Sequence, residues 1–470
     1  MPPFERSASN PLLSLLFPGL AIKRWLIIVA VGGLLVLLGG ALLLNLQPIS
    51  ALVRIMQSVA LMMPSYLSGS LAIGLGIALV YMGGKKASRT VMGAAGASDK
   101  SLLTELVRSR RLSLGPKIVA IGGGTGLSTL LRGLKHYTTN ITAIVTVGDD
   151  GGSSGRLRKD HGIIPPGDIR NCIAALADEE QLITELFQYR FNTGEGLEGH
   201  SFGNLFLTAM CHVTGDMLSA IRASSAVLNI SGRVLPSTLE SIALSAELTD
   251  GSTVNGESNI PDACKENRLG IKRLMSLPAD AKPLPDAITA IEEADLILLG
   301  PGSLYTSVIP NLLIGPIKEA ITKRAVPKVY IANAMTQPGE TDGFSVSDHV
   351  RAILEHAGET KAGLHSVVST VFANRGIPSP LASRYREAGY EEVRVDRDEC
   401  DALGVAVVEA QLINPHAHKI IRHDSRRLAR FLFHWFRAQS TPSETNVTSS
   451  EEDPTPPRPK LTVISGKASS

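Results

Sequence analysis

Between residues 116 and 439, short apolar runs rich in β-branched residues alternate with longer segments of helical periodicity. Runs that are apolar throughout, rather than at every second position, are typical of strands buried on both faces. Such strands alternating with helices predict an α/β fold, a Rossmann-like parallel sheet with flanking helices. The predicted strands are 117–121, 141–147, 295–299, 328–333, 366–374, 391–396 and 405–410.

A longer apolar run precedes this region. From Trp25 to Gln47 the chain carries no charge, and about 20 apolar residues suffice to cross a bilayer. A second, glycine-rich run, 66–84, is predicted to span as well, with a re-entrant segment as the alternative. Basic residues precede the first run and follow the second. The sequence therefore predicts a multi-pass protein of the plasma (inner) membrane with its main domain in the cytoplasm.

The pattern divides the chain into five segments. They are a cytoplasmic N-terminus (1–24), a transmembrane hairpin (25–84), a basic juxtamembrane linker (85–115), the globular domain (116–439) and a disordered tail (440–470). The tail has too few apolar residues to bury a core. Just before it, 423–439 places basic residues among aromatics at helical spacing. This pattern predicts either a helix that closes the core or one that lies on the membrane surface.

Charge and cysteine content narrow the function classes. A formal net charge of +2 gives no basis for bulk binding of nucleic acid. The four cysteines, Cys172, Cys211, Cys264 and Cys400, are far apart and form no CxxC pair. They are predicted to be reduced core thiols rather than zinc ligands.

The first candidate ligand-binding motif is GGGTGLS, which begins at Gly122 after the strand 117–121. Its glycines allow backbone amides to approach a ligand, and the helix that follows directs N–H groups at an anion. The spacing matches neither GxGxxG nor GxxxxGK[ST], so a structural turn stays open and a nicotinamide dehydrogenase is disfavoured. The candidate residues are Gly123, Gly124, Thr125 and Gly126.

The second motif, GDDGGSSGRLR, follows the strand 141–147. Asp149 and Asp150 suit a ribose hydroxyl or a hydrated Mg²⁺, and a solvated turn is the structural alternative. Ser153, Ser154 and Arg156 suit phosphates. Asp150→Ala is expected to abolish ligand binding and to leave the fold intact, because a carboxylate at a strand end contributes little to packing.

Three more segments, PPGDIRN, GHSFGN and GPGSLY, place polar residues or glycines at predicted helix starts and strand ends. The carboxyl ends of parallel strands meet at one edge of the sheet, so these segments are expected to converge there. Asp168 is expected to cap a helix, with the residues after it facing a ligand. The remaining candidates are Asp168, Arg170, Asn171, His200, Asn204, Gly302 and Ser303.

These motifs, in this order and followed by NAMTQPGET, resemble the YvcK-like gluconeogenesis factors across about residues 117–423. That group belongs with CofD, a 2-phospho-L-lactate transferase, in one Rossmann-like superfamily. The resemblance implies that a nucleotide sugar, UDP-N-acetylglucosamine or UDP-glucose, contacts Gly123, Gly124, Thr125, Asp150, Arg170, Asn171 and Asn204. One departure is Gly148 before the two aspartates, where the YvcK-like group usually has alanine and CofD has glycine.

The resemblance also implies a role in cell shape and envelope synthesis under gluconeogenic growth, without an assigned catalytic activity. The predicted partners are a nucleotide sugar, the membrane through the hairpin, envelope-synthesis or regulatory proteins and a second copy of the chain in a homo-oligomer. Nucleic acid is not among them. The alternative is a CofD-like transferase that uses a nucleotide diphosphate donor, with Mg²⁺ on Asp149 and Asp150. No other cofactor is predicted.

Overall fold

The computed structural model describes residues 108–178, 180–377, 379–414 and 421–440. The predicted hairpin, most of the predicted linker and nearly all of the predicted tail lie outside the described residues. Within the described ranges, no helix has both the length and the hydropathy that a bilayer crossing requires.

The core of the fold is a seven-stranded sheet in which every neighbouring pair is parallel. The strand order is β10-β9-β8-β7-β1-β2-β3, so the order reverses between β1 and β7. The strands are β1 (Ile118–Gly122), β2 (Ile141–Val145), β3 (Arg233–Pro236), β7 (Leu296–Leu299), β8 (Lys328–Ile331), β9 (Thr370–Asn374) and β10 (Ala406–Ala410). The predicted fold class, a parallel sheet with flanking helices, is confirmed.

Alternate residues of each central strand enter two separate cores. On β1, Ile118 and Ala120 belong to one core, and Val119 and Ile121 belong to the other. Both sets are buried, which explains why the strand is apolar at every position.

Helices cover both faces of the sheet. On one face α1, α3, α5, α6 and α14 bury apolar residues, and on the other α8, α9, α10 and α11 do so. The helices are α1 (Gly124–Leu134), α2 (Gly152–His161), α3 (Gly167–Leu176), α4 (Glu180–Gln188), α5 (Phe202–Thr214), α6 (Met217–Val227), α7 (Ile260–Asn267), α8 (Pro285–Glu292), α9 (Ile309–Leu312), α10 (Gly315–Lys323), α11 (Val346–Ala357), α12 (Ser379–Glu387), α13 (Arg397–Leu403) and α14 (Ser425–Ser440). All four cysteines are free and buried, as predicted.

A second sheet was not predicted. It is antiparallel, with the order β5-β4-β6, and consists of β4 (Ala243–Leu248), β5 (Thr253–Asn255) and β6 (Ile271–Leu277). Leu244, Ala246 and Leu274 bury one face of it against the main core. These strands form no continuous apolar run, because polar residues alternate with apolar ones along them.

The predicted strand 391–396 is wrong. In this segment Glu392 forms only an isolated bridge with Met335. Val393 is buried in the main core, and Asp396 accepts hydrogen bonds from the N–H and Oγ of Ser347 at the start of α11. The apolar residues therefore pack a loop against the core, without a neighbouring strand to pair with.

The last helix, α14, closes the core. Leu428, Ala429 and Leu432 are buried, and α14 crosses α1 at Gly133. A Cβ on Gly133 would lie 2.0 Å from the carbonyl oxygen of Ser425, so only glycine permits this contact. Of the two alternatives for this segment, the helix that closes the core is confirmed.

Candidate functional site

Two glycine-rich loops face each other at the point where the strand order reverses. One follows β1 and the other follows β7, and their backbones are in direct contact. A Cβ on Gly126 would lie 2.4 Å from the carbonyl oxygen of Pro301 and 2.8 Å from the Cα of Gly302. Because real Cβ atoms do not approach that closely, Gly126 is required for this apposition.

The first loop leads directly into α1. Gly123 is the N-terminal capping residue, with no side chain to bond the first N–H groups of the helix. Gly124 has a positive φ of 64°, which favours glycine. The first turn of a helix has N–H groups without intrahelical acceptors, and these groups attract anions. This end of α1 is therefore suited to a phosphate.

The two loops form one side of a cleft of about 330 Å³. Its size falls at the lower end of the range for small-molecule sites, about 300–1,000 Å³. The opposite side comes from the loop after β8, from α12 and the turn that follows it, and from the segment before α14. The lining includes Gly123, Gly124, Thr125, Gly126, Gly302, Ser303, Asn333, Thr336, Gln337, Tyr385, Tyr390, Arg422 and His423.

Hydrogen bonds fix the loop after β8 to the second glycine loop. The Asn333 amide donates to the carbonyl oxygen of Gly302 at 2.9 Å, and the Gln337 amide donates to Ser303 Oγ at 2.8 Å. Neither Asn333 nor Gln337 was predicted as a site residue. The NAMTQ motif, which directly follows a predicted strand, could have indicated them. It contributed only to the family resemblance.

Residues near the C-terminus complete the cleft. The hydroxyl of Tyr385 accepts the N–H of Ile421, which holds the segment before α14 against α12. Burial lowers the pKa of His423 to about 4, so its imidazole is neutral at neutral pH. Neither this histidine nor the neighbouring Arg422 was predicted, because they lie far along the chain from every glycine loop.

Asp168 lies beside the first glycine loop rather than capping α3. The N-terminal capping residue of α3 is Pro166, and Asp168 is inside the first turn. Its carboxylate accepts the N–H of Gly124, and its Oδ2 would be 2.4 Å from a Cβ on Gly123. Burial, followed by repulsion from Asp149, raises the pKa of Asp168 to about 7. The predicted capping role is wrong, because the side chain points across to the start of α1.

The two aspartates after β2 bond to backbone N–H groups. Asp149 Oδ1 accepts the N–H of Gly151 at 2.9 Å. Asp150 accepts the N–H groups of Glu257 and Ser258 at 3.0 and 2.9 Å. Asp150 therefore ties the loop after β2 to the turn that follows β5, and the premise that it contributes little to packing is wrong.

Further carboxyl groups face this region. Burial, with repulsion from Asp149 and Asp150, raises the pKa of Glu257 to about 8. Burial also raises the pKa of Glu340 to about 7. Among the residues that the structure describes, no three His, Cys, Asp or Glu side chains form a group that could hold a metal ion.

The other predicted polar residues form a hydrogen-bond network between α2, α3 and α5. Ser153 Oγ is 3.0 Å from His200 Nδ1, and the Asn204 amide donates to Ser153 Oγ at 3.1 Å. Asn204 also donates to Ser154 Oγ at 3.4 Å. Burial lowers the pKa of His200, which favours the neutral imidazole in this network.

Arg170 joins the network to the start of α5. Its Nη1 donates to Ser201 Oγ at 2.6 Å and to Asn204 Oδ1 at 3.0 Å, while its Nη2 donates to Asn171 Oδ1 at 2.9 Å. Arg156 instead donates to the carbonyl oxygen of Glu198. These side chains bond to one another and to the backbone rather than lining the cleft.

The structure therefore separates the predicted site into two groups. Those that line the cleft are Gly123, Gly124, Thr125, Gly126, Gly302 and Ser303. Those that form the adjoining carboxylate and hydrogen-bond clusters are Asp149, Asp150, Ser153, Ser154, Arg156, Asp168, Arg170, Asn171, His200 and Asn204. Asp168, which contacts Gly123 and Gly124, connects the two groups.

Comparison with known proteins places this arrangement in a family. The family model described as 2-phospho-L-lactate transferase CofD matches residues 118–413, which include both glycine loops and the hydrogen-bond network. The chain belongs to the CofD family. Within the CofD family its place is with the gluconeogenesis factors, the YvcK-like group, as the following relatives indicate.

The gluconeogenesis factor of Bacillus subtilis is 48% identical over 318 residues, which are 67% of this chain and 97% of the relative. A protein of Nostoc sp. described as "Putative gluconeogenesis factor" is 50% identical over 428 residues, 90% of this chain and 92% of the relative. A crystal structure of a UPF0052 family member from Bacillus halodurans is 46% identical, with a TM-score of 0.63. It matches 68% of this chain and 99% of its own. The CofD-like fold thus recurs in an experimentally solved relative.

Proposed function

We propose that this CofD family member is a membrane-anchored gluconeogenesis factor whose cleft binds a nucleotide sugar, UDP-N-acetylglucosamine or UDP-glucose. In this proposal the ligand-bound protein signals that envelope precursors are available, and it does so for cell morphogenesis and envelope synthesis under gluconeogenic growth. The observation that carries the proposal is the cleft at the strand reversal, with the N-terminus of α1 in its lining. In open α/β sheets this is the usual place for a nucleotide.

The cleft has complementary features for each part of such a ligand. The first turn of α1 offers backbone N–H groups to the diphosphate. Tyr385 and Tyr390, whose ring centroids are 5.4 Å apart, offer aromatic surface to a base. The amides of Asn333 and Gln337 and the exposed Arg422 offer polar contacts to a sugar or a phosphate.

Membrane anchoring rests on the uncharged runs 25–47 and 66–84. The match with the Nostoc protein spans 90% of the chain, so it extends into residues 1–107. That relative therefore shares part of the segment that contains these runs, which supports a common role for it.

The test is calorimetric titration of the purified full chain with UDP-N-acetylglucosamine and UDP-glucose, with GDP and NADP⁺ for comparison. We expect saturable binding of a UDP-sugar that weakens in Arg422→Ala, in the cleft. The matched control is Arg222→Ala, whose arginine pairs with Asp286 on the surface. Absence of binding by either UDP-sugar, or equal weakening in both variants, contradicts the proposed site.

Binding is expected to depend on the protonation of Asp168. Its pKa of about 7 lies close to neutral pH, so the carboxyl changes its protonation in this range, and it adjoins the glycines that would contact a phosphate. If the complex requires the protonated carboxyl, affinity falls about tenfold from about pH 6 to about pH 8. Calorimetry across this range should show that fall in the native chain.

The matched variant is Asp168→Asn, which is neutral at every pH and similar in shape. We expect it to reduce the pH dependence to less than about threefold. The same slope in both proteins contradicts the assignment.

The raised pKa values also mean that the native state binds more protons than the unfolded chain. Asp168, Glu257 and Glu340 therefore each lower the free energy of unfolding as pH rises from about 4 to about 8.

The match to the CofD family model favours one second candidate, a CofD-like Mg²⁺-dependent transferase that moves a phospholactyl-type group from a nucleotide diphosphate donor. Incubation of the full chain with Mg²⁺, such a donor and a deazaflavin acceptor, followed by mass spectrometry, tests this candidate. Product formation that Gly126→Ala abolishes supports it, and absence of product leaves the binding role as the proposal.

A further inference from the structure

A second groove, of about 540 Å³, lies between the end of α1 and the start of α14. Arg426, Arg427 and Arg430 line it, together with His136 and Asp424. Asp424 Oδ1 accepts the backbone N–H of Arg427. Among the described residues, no carboxylate lies within 4.0 Å of these three guanidinium groups. Within the part of the chain that the structure describes, no ion pair neutralises their charge.

The arginines belong to one exposed side of α14. The opposite side of the helix is buried through Leu428, Ala429 and Leu432. Residues three and four apart lie on the same side of a helix. By this spacing the exposed side presents Arg426, Arg430, His434 and Arg437, all of which are exposed.

More exposed arginines border the same part of the molecule. Arg108, Arg110 and Arg111 begin the described chain. The carbonyl oxygen of Leu112 accepts the N–H of Thr139, so this segment lies against the turn after α1. In that turn, the ring of Tyr137 packs on Phe433 of α14 at 4.8 Å. The first described segment and α14 therefore flank one turn.

Exposed apolar side chains accompany these arginines. Leu114 is 65% exposed and Phe431 is 37% exposed. Clusters of basic residues attract anionic lipid headgroups, and exposed apolar side chains beside them can contact the boundary with the acyl chains. We name the set Arg108, Arg110, Arg111, Leu114, Arg426, Arg427, Arg430, Phe431, His434 and Arg437 the basic surface.

We propose that the basic surface binds the anionic lipid headgroups of the membrane to which the chain is anchored. Lipid phosphates suit guanidinium groups, and basic residues near an anionic leaflet bind it electrostatically. The uncharged runs 25–47 and 66–84 lie upstream of Arg108 along the chain, so the bilayer would be within reach. This inference rests on the proposed anchoring, which keeps the domain close to the bilayer. It adds that the basic surface is the side of the domain that faces the leaflet.

The experiment uses the full chain in nanodiscs, either of phosphatidylcholine alone or with about one-third phosphatidylglycerol. Because the four native cysteines are buried, a cysteine introduced by His434→Cys can be labelled selectively with a fluorophore. A spin label on a lipid headgroup reports contact by quenching. We expect at least about threefold more quenching in the anionic discs, falling as salt screens the charges.

A label introduced by Lys323→Cys, on α10 at the other face of the sheet, is the position control and should show no such difference. Arg426→Glu with Arg430→Glu should reduce quenching at residue 434 to the level in neutral discs. Lys323→Glu with Lys361→Glu changes the charge equally, at exposed sites elsewhere, and should not. Circular dichroism verifies that each variant is folded.

Three outcomes would overturn the proposal. Quenching could be equal in neutral and anionic discs, or it could survive the Arg426 and Arg430 reversals. Quenching could also appear only after removal of residues 441–470. In that case the basic surface of the full chain binds the acidic segment around Glu451, Glu452 and Asp453. Failure of the anchoring itself is distinguishable, because the full chain would then not incorporate into neutral discs.

Discussion

Gly126→Ala is expected to weaken binding of a UDP-sugar by on the order of 100-fold, because loss of two hydrogen bonds to a charged diphosphate costs about 3 kcal/mol. The added Cβ would lie 2.4 Å from the carbonyl oxygen of Pro301. That oxygen is backbone, so it cannot rotate away as a flexible side chain can. The two glycine loops must separate, and the groups that line the cleft separate with them. Calorimetric titration measures the loss.

The control is Gly315→Ala at the start of α10. A Cβ there meets nothing within 4 Å, and the backbone is not left-handed. We expect unchanged affinity for this variant, and a change in the free energy of unfolding of at most about 0.5 kcal/mol. For Gly126→Ala the free energy of unfolding should fall by about 1–3 kcal/mol, as in overpacked interiors. Native affinity in Gly126→Ala would show that the loop contact does not shape the binding site.

Arg170→Ala is expected to lower the free energy of unfolding by about 2–4 kcal/mol. The guanidinium donates to three side-chain oxygens, on Ser201, Asn204 and Asn171. Its removal leaves those oxygens without a charged donor in a half-buried site, and Ser201 is itself the N-terminal cap of α5. Urea denaturation of the purified protein measures the loss.

Two further variants distinguish loss of the hydrogen-bond network from loss of a positive charge. Arg156→Ala removes a guanidinium with one bond, to the exposed backbone at Glu198, and should cost at most about 1 kcal/mol. Arg170→Lys retains the charge but not the planar group with several donors, so it should recover less than half of the loss. A loss below about 1 kcal/mol in Arg170→Ala would contradict the structural role of the network.

The main sheet was largely predictable, because strands buried on both faces are apolar throughout. The runs 117–121, 141–147 and 295–299 correspond to β1, β2 and β7. The short β3 was missed because only Val234 and Leu235 mark its interior. The run 391–396 misled because a loop that packs on the core needs the same apolar residues as a strand.

The candidate site was predictable only in part. Local sequence identifies residues that suit an anion, such as Gly124, because a positive φ and a helix start are local properties. Local sequence does not indicate which polar residues have partners elsewhere. Asn204 bonds to Ser153, which is 51 positions away. His423 joins Gly123 in one cleft across most of the domain.

By itself, the sequence determined the parallel α/β architecture, the order of the glycine loops and the place of this chain among the gluconeogenesis factors. These properties depend on short-range patterns of apolar residues and on motifs. Only the tertiary structure decided that the polar residues after β2 bond to backbone groups and to residues at the start of α5, and that the loops after β1, β7 and β8 line the cleft. The reason is physical, since hydrogen-bond partners and cavity walls are set by contacts between residues distant in sequence, and no local pattern encodes them.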